Sequence, residues 1–200
     1  MLRRILLATA LFGAWTALAF ADVSSNPQSA PKGGYEQNPD HTVVTFCTSH
    51  MELSIYCGRF DKTTAKLTFN GSQPERSTVT ATIDLASVNV PSSELTGMLR
   101  SQLFHKGSTA TFTSTEVKLD SQNQGTITGN LAINGVTKPV VLKVKFNGGE
   151  PYPFGDKYVL GFSATGSFKR SDFGLTEMTG AQFAGDVVNL QIEIEFLQVK

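Results

Sequence analysis

Hydrophobic and polar residues alternate along most of the chain that follows His41. In "TVTATIDL", Thr78–Leu85, apolar residues occupy every second position and polar residues fall between them. The C-terminal stretch "LQIEIEF", Leu190–Phe196, repeats the pattern with glutamine and glutamate on the polar face. A period of two residues is typical of a β-strand with one buried and one solvated face. The pattern therefore predicts an all-β domain.

The alternation predicts nine strand segments, separated by short turns. An antiparallel set of this size must stack as two sheets or close into a barrel, because open strand edges invite aggregation. Both architectures produce the same alternation, so periodicity alone does not choose between them. The predicted segments are Val43–Thr48, Ser54–Phe60, Ala65–Phe69, Thr78–Val88, Thr109–Leu119, Gly125–Ile133, Val140–Phe146, Tyr158–Lys169 and Val187–Val199.

One segment departs from the strand pattern. In "SSELTGMLRSQLF", Ser92–Phe104, three leucines follow one another at helical spacing, namely Leu95, Leu99 and Leu103. A serine precedes them at the position of a helix cap, and Glu94 stands near the start. The sequence therefore predicts one short helix between strands.

The N-terminal part of the chain is predicted to lie outside the strand-rich domain. Residues 1–21 combine two arginines, an apolar run and small residues before the cleavage point, which is the pattern of a secretory signal peptide. An uncleaved membrane anchor is the alternative, but the apolar run is shorter than the roughly 20 residues of a spanning helix. Residues 22–40 are rich in Ser, Pro, Gly and Asn and are expected to form a flexible arm. One domain, residues 41–200, follows.

Charge and cysteine content indicate which partners and which kinds of site the chain is expected to have. Without the two arginines of the signal peptide the chain carries 15 basic and 17 acidic residues. This balance gives no electrostatic reason to expect nucleic acid or an anionic membrane as a partner. Cys47 and Cys57 form a close pair, which favours a disulfide in an oxidising compartment. The alternative is a metal site of both cysteines with His50, and with His41 as a further ligand, although the spacing matches no compact zinc pattern.

The sequence does not predict a catalytic centre. "GFSAT", Gly161–Thr165, resembles a nucleophile elbow, but it lacks the second glycine and lies inside a predicted strand. The histidines, His41, His50 and His105, stand apart in the sequence, and it contains no glycine-rich phosphate loop. We therefore expect neither catalytic residues nor a metal site, and the chain is not predicted to be an enzyme.

The stretch "SFKRSDFGLTE", Ser167–Glu177, has two interpretations. Arg170 and Asp172 follow a predicted strand, and Phe173 and Leu175 are apolar where a loop is ordinarily polar. In a structural role, Arg170 pairs with Asp172 or caps backbone carbonyls while the aromatic ring plugs the barrel end. In a functional role, Arg170 stands at the mouth of a cavity and meets a polar head group.

Five blocks of the chain occur in the order seen in a known family. They are "DHTVVTFCTSH", "CGRFDKTTAKLTF", "SSELTGMLRSQLF", "GTITGNLAINGVTKPVVLKVKF" and "GFSATGSFKRSDFGL". The most specific parts are "GNLAINGVTKP" and "RSDFG". On these blocks the sequence resembles the YceI-like family of bacterial periplasmic proteins from about His41 to the C-terminus. The cysteine pair and the longer arm before His41 depart from the usual family pattern.

The resemblance implies an eight-stranded antiparallel lipocalin-like barrel with one short helix between strands, enclosing a long apolar cavity. That family takes polyisoprenoid chains, such as quinone tails, or similar lipids. The expected function is therefore that of a periplasmic binding protein for a long-chain isoprenoid or related lipid, without any other cofactor. Two alternatives stay open: a stress-response or structural barrel without ligand, and an enzyme that acts on such a lipid. The oligomeric state also stays open, a dimer included.

Inward-facing residues of the predicted strands form the expected binding site. An eight-stranded barrel is near the size at which the interior either fills with side chains or holds one small ligand. His50 and Arg170 are expected at the mouth, as hydrogen-bond donors to a polar head group. The other expected ligand-binding residues are Phe46, Phe69, Ala81, Phe112, Phe146, Phe162, Ala164, Gly166, Phe168 and Phe196.

Overall fold

The computed structural model describes residues 22–104, 108–177 and 183–199. The predicted signal peptide, residues 1–21, lies outside the described residues, as does His105. Among the helices of the described ranges, none has the length and apolar character needed to cross a membrane.

Ten strand segments of the described chain form one antiparallel sheet, and a short helix interrupts them. The strands are β1 (Gly33–His50), β2 (Ser54–Phe60), β3 (Thr63–Phe69), β4 (Thr78–Asp84), β5 (Val88–Asn89), β6 (Thr109–Leu119), β7 (Gln124–Ile133), β8 (Val136–Pro151), β9 (Tyr158–Lys169) and β10 (Val187–Gln198). Their order in the sheet is β10-β9-β8-β7-β6-β4-β3-β1-β2-β5, and β10 also pairs with β1. Helix α1, Ser93–Met98, follows β5 and continues as one π-helical turn, Leu99–Leu103.

The sheet closes into a barrel because β1 pairs along both of its edges. One edge pairs with β10 over most of the strand. The other edge pairs with β3 at Gly33–Glu36 and with β2 at Val44–His50. Strands β2 and β3 therefore run end to end as one interrupted strand, and β4 and β5 do the same beside them. The ten segments thus make the eight-stranded closed barrel with one short helix that was predicted.

Strand β1 begins at Gly33, whereas the composition predicts a flexible arm up to Asp40. The alternation of apolar and polar residues does not reveal this part of the strand, because residues 38–41 bulge out of the pairing with β10 and interrupt the pattern. Further upstream, Ser24 pairs with Gly149. Residues 33–40, assigned to the arm from the sequence, are therefore part of β1.

Five aromatic rings close the barrel at the end where β1 begins. Each ring contacts at least one other, with centroids 5.3–6.2 Å apart. Tyr35 is 1% exposed, and its hydroxyl donates a hydrogen bond to the carbonyl oxygen of Pro31 at 2.7 Å. The polar tip is thus satisfied although the ring is buried. We call this cluster the aromatic floor; its members are Tyr35, Phe69, Phe146, Phe162 and Phe196.

Cys47 and Cys57 form the predicted disulfide near the opposite end of β1. The two residues stand directly opposite each other in the β1–β2 pairing, with their Cα atoms 4.1 Å apart. Both sulfur atoms are used in this bond, so the alternative metal site with His50 and His41 is wrong. The bond links β2 to β1 in the part of β1 that pairs with β2 and not with β3.

Replacing both cysteines by alanine is expected to lower the free energy of unfolding by about 3 kcal/mol, because the loop closed by the bond restricts the unfolded chain. Urea unfolding of the oxidised wild type and of the double variant measures this difference. Free-thiol titration of the unfolded, unreduced protein is expected to detect no thiol. Reduced wild type is the control, and a midpoint that reduction leaves unchanged would contradict the prediction.

The buried Tyr35 is expected to make the fold sensitive to alkaline pH. Burial, with a smaller contribution from Tyr158, raises the pKa of Tyr35 to about 12. An unfolded tyrosine ionises near pH ~10. The stability that the neutral, buried Tyr35 contributes is therefore complete below the unfolded pKa and is lost as the pH rises toward the pKa of Tyr35 in the folded protein.

Tyr35→Phe is expected to flatten this alkaline loss of stability, although it removes the hydrogen bond to Pro31 at neutral pH. Unfolding free energies between about pH 8 and about pH 12 measure the effect. Tyr152→Phe is the control. The prediction is wrong if Tyr35→Phe and the wild type lose stability in parallel over this interval.

Candidate functional site

A cavity of about 390 Å³ lies inside the barrel above the aromatic floor. Its size falls within the range of small-molecule sites, roughly 300–1,000 Å³. Every second residue of each strand points inward, and most of these inward residues are apolar. The wall of the cavity is therefore largely apolar. Its aliphatic lining includes Val44, Val79, Ile83, Ile127, Leu131, Leu142, Val144, Leu190, Ile192 and Ile194.

The helical segment supplies part of the lining from the end away from the floor. Leu95, Leu99 and Leu103 all line the cavity, as their helical spacing suggests. The side chain of Ser92 caps α1 by accepting a hydrogen bond from the backbone N–H of Leu95 at 3.1 Å. The guanidinium of Arg100 donates from Nε and Nη2 to the carbonyl oxygen of Val88, at 3.1 and 2.7 Å. The two bonds of Arg100 connect the segment to β5, and the leucines of the segment face the cavity.

His50 and Arg170 line the cavity at its mouth. His50 is exposed at the end of β1, and its ring centroid lies 6.0 Å from that of Tyr56. Arg170 follows β9, is 8% exposed, and donates from Nη2 to the carbonyl oxygen of Ala184 at 3.2 Å. Arg170 therefore both caps a backbone carbonyl and faces the cavity, a position compatible with both interpretations of the sequence.

The charge at the mouth is balanced locally. Burial lowers the pKa of Arg170, and the carboxylates of Asp186 and Glu177 oppose that shift. The carboxylate of Asp186 accepts hydrogen bonds from the backbone N–H of Ser171 at 2.9 Å and from its hydroxyl at 2.8 Å, which lowers the pKa of Asp186. An arginine side chain stays protonated in proteins. The mouth therefore holds a permanent positive charge with acidic neighbours.

Six polar residues of the cavity wall were not predicted from the sequence, namely Gln37, Thr42, Thr48, Tyr56, Thr63 and Thr64. Gln37 of β1 and Thr63 of β3 both line the cavity. The side-chain Nε2 of Gln37 donates to Oγ1 of Thr63 at 3.0 Å. Tyr35 and Gln37 occupy alternate positions of β1, and this alternation would place Gln37 on the inward face. The bulge that follows interrupts the alternation, so the pattern is not recognisable in the sequence.

The predicted ligand-binding residues fall into three groups. Phe69 and Phe146 belong to the aromatic floor and line a smaller cavity of about 90 Å³. Gly166 lies on the inward face of β9, but a Cβ atom there would stand 2.6 Å from Cδ2 of Leu142, so this position is already covered. The residues that line the main cavity are Phe46, Ala81, Phe112, Phe162, Ala164, Phe168 and Phe196, together with His50 and Arg170.

The serine of the "GFSAT" stretch lies on the outer side of the barrel. Ser163 accepts a hydrogen bond from the Asn147 side chain at 2.8 Å and donates one to the Glu193 carboxylate at 2.5 Å. These partners lie on β8 and β10, so the group links three strands on the outer surface. In the described ranges, no cluster of three or more His, Cys, Asp or Glu side chains is arranged to hold a metal ion.

Residues 35–196 match the model of the YceI-like domain. A UPF0312 protein from Ectopseudomonas mendocina (strain ymp) is 38% identical over 163 residues, which cover 80% of this chain and 84% of that protein. Among solved structures, a YceI protein of Campylobacter jejuni has a TM-score of 0.66 and 29% identity, covering 76% of this chain and 90% of that one. A polyisoprenoid binding domain from Saccharophagus degradans shares the fold with a TM-score of 0.57 at 17% identity, covering 83% and 98%.

The matched residues run from Tyr35 to Phe196, two rings of the aromatic floor, and so span the closed barrel. The block "GNLAINGVTKP" forms the β7–β8 hairpin, and "RSDFG" forms the turn after β9 at the mouth. By sequence and by fold, the chain belongs to the YceI-like family.

Proposed function

We propose that the barrel binds one long apolar lipid chain in its cavity, and that this chain is a polyisoprenoid, such as the tail of an isoprenoid quinone, or a related lipid. The observation that carries the proposal is the wall of aliphatic and aromatic side chains around a space of about 390 Å³. Each methylene moved from water into such surroundings contributes about 0.8 kcal/mol. Chain length therefore supplies the affinity.

The chemical class of the ligand is proposed from the family and the fold. One structural neighbour carries the description polyisoprenoid binding domain, and it shares the barrel at low identity. The cavity wall of this chain is rich in Leu, Ile, Val and Phe side chains. A methyl-branched chain packs well against such an irregular apolar wall, because dispersion contacts need close surface matching.

The proposed location is the periplasm. Residues 1–21 have the pattern of a secretory signal peptide. The bond between Cys47 and Cys57 suits an oxidising compartment. In that aqueous space the barrel shields its lipid from water.

The unfilled interior favours ligand binding over a purely structural barrel. Native protein interiors are close-packed and contain few voids larger than a water molecule. A barrel selected only for stability would fill this space with larger side chains at positions such as Ala81 and Ala164. The small residues there are consistent with a space kept open for a ligand.

Protein purified from its native compartment is expected to release one lipid chain per barrel on organic extraction, detected by mass spectrometry. Ala164→Phe is expected to abolish this lipid, because the larger ring occupies the cavity that Ala164 lines. Thr165→Phe is the matched control, since Thr165 is the next residue on β9 and is exposed. A folded Ala164→Phe variant with a full lipid content would contradict the proposed site, and a wild type without lipid would favour the structural barrel.

We expect the mouth to bind a polar head group. Arg170→Ala and His50→Ala should each weaken binding of geranylgeranyl phosphate about tenfold while leaving the corresponding hydrocarbon nearly unaffected, because charge-assisted hydrogen bonds to the phosphate are lost. Binding of both ligands is measured beside the thermal stability of each variant. A lower melting temperature with equal losses for both ligands would show that Arg170 acts only as the cap of Ala184.

A further inference from the structure

Gln37 and Thr63 form a hydrogen-bonded polar position near the floor of the largely apolar cavity. Gln37 stands opposite Phe196 of the aromatic floor in the β1–β10 pairing. His50, at the mouth, ends the same strand on the other side of the bulge. Thr63 opens β3 directly after the break at residues 61–62. The pair therefore lies just above the floor and far from the mouth.

A bulge in β1 holds Gln37 in this place. Between Gln37 and Thr42 the strand advances five residues, while β10 advances only two, from Phe196 to Ile194. The extra residues are fixed by Asn38, which is 3% exposed: its Oδ1 accepts from the N–H of Asp40 at 3.3 Å, and its carbonyl accepts from the hydroxyl of Thr42 at 2.8 Å. Bulges of this kind re-aim side chains and are frequent beside functional sites.

The pair uses only part of its hydrogen-bonding capacity. Nε2 of Gln37 donates to Oγ1 of Thr63 at 3.0 Å, and that hydroxyl lies 3.4 Å from Oε1 of Gln37. A glutamine amide has two N–H donors and an oxygen with two lone pairs. Within the described part of the chain, the side-chain hydrogen bonds of Gln37 and Thr63 run between these two residues. One amide N–H and acceptor capacity on the amide oxygen therefore stay available to a ligand.

The chemistry of the pair selects a neutral partner. Both side chains are uncharged, and the arginine that lines the cavity stands at the mouth. An anionic head group at this depth would lose its hydration without meeting a positive charge, which is costly. A hydroxyl group both donates and accepts, so it complements the amide and the threonine, and a carbonyl oxygen can accept from the amide.

We propose that Gln37 and Thr63 bind a neutral oxygen, a hydroxyl or carbonyl group, at the inner end of the lipid chain. This inference rests on the proposed function, because it requires a chain in the cavity. A lipid alcohol then binds with its hydroxyl toward the aromatic floor, whereas an anionic head group stays at the mouth beside Arg170. The charge of the head group thus sets the orientation of the bound chain.

Competition with a fluorescent isoprenoid measures the Kd values of geranylgeraniol and of the hydrocarbon in which hydrogen replaces its hydroxyl group. Gln37→Leu removes the amide at similar volume and is expected to weaken alcohol binding about tenfold, with the hydrocarbon bound at least as tightly as by the wild type. Thr63→Val is expected to act in the same direction. Thr63→Ser keeps the hydroxyl and is the matched control, expected to retain the wild-type preference for the alcohol.

Geranylgeranyl phosphate tests the orientation, since its affinity is expected to depend on Arg170 and not on Gln37. The inference is overturned if Gln37→Leu or Thr63→Val weakens alcohol and hydrocarbon equally, or if both variants keep the wild-type preference. The Thr63→Val and Thr63→Ser pair decides the matter alone if Gln37→Leu does not fold. A wild type that binds neither ligand would overturn the proposed function itself, whereas binding without the expected preference overturns only the deep polar position.

Discussion

Strand β1 pairs with three other strands, and the cavity depends on that pairing. One edge of β1 meets β10, while the other meets β3 and then β2. Closure of the sheet through β1 fixes the width of the interior, because strand number and stagger determine the diameter of a barrel. Tyr35 anchors the first end of β1 in the aromatic floor, and Cys47 bonds the other end to β2. The same strand thus fixes the depth of the cavity and the width of its mouth.

The interior is filled unevenly, and this unevenness makes the site. Five aromatic rings pack together at the floor, whereas the wall above them mixes aliphatic and aromatic side chains with small residues such as Ala81 and Ala164. Unfilled apolar space forfeits the dispersion contacts that a packed core would have. Under the proposed function, a bound chain makes those contacts with its own methylene and methyl groups, and they contribute to the binding free energy.

Alternation along the sequence predicts which side chains face inward but not how deep they lie. The inward parity of Ala81 and Ala164 predicts that they face the interior, and both line the main cavity. Phe69 and Phe146 have the same inward parity but lie in the floor, because depth depends on the register between strands rather than on the period within one strand. Gln37 escaped prediction since the bulge that follows it breaks the alternation.

The helix was easier to predict, because its signals are local. The leucine spacing and the serine cap lie within one segment, so they predict α1 without any knowledge of how the strands pair. The partners of Arg170 show the opposite case, since Ala184 and Asp186 lie outside its own turn, after the segment that follows β9. Residues whose role depends on long-range register carry no signal that a single strand can reveal.

Apolar burial alone cannot make such a cavity selective. Every methylene contributes a similar free energy, so lipids of equal length bind alike unless something else distinguishes them. The aromatic floor limits how far a chain can enter, which is a constraint on length. Polar groups at two depths, the arginine at the mouth and the amide above the floor, add a constraint on charge, because a buried polar group without its partner is penalised. Under the proposed function, the selectivity of this barrel rests on the polar side chains of its cavity wall, and the bulge of β1 is the structural feature that places Gln37 near the floor.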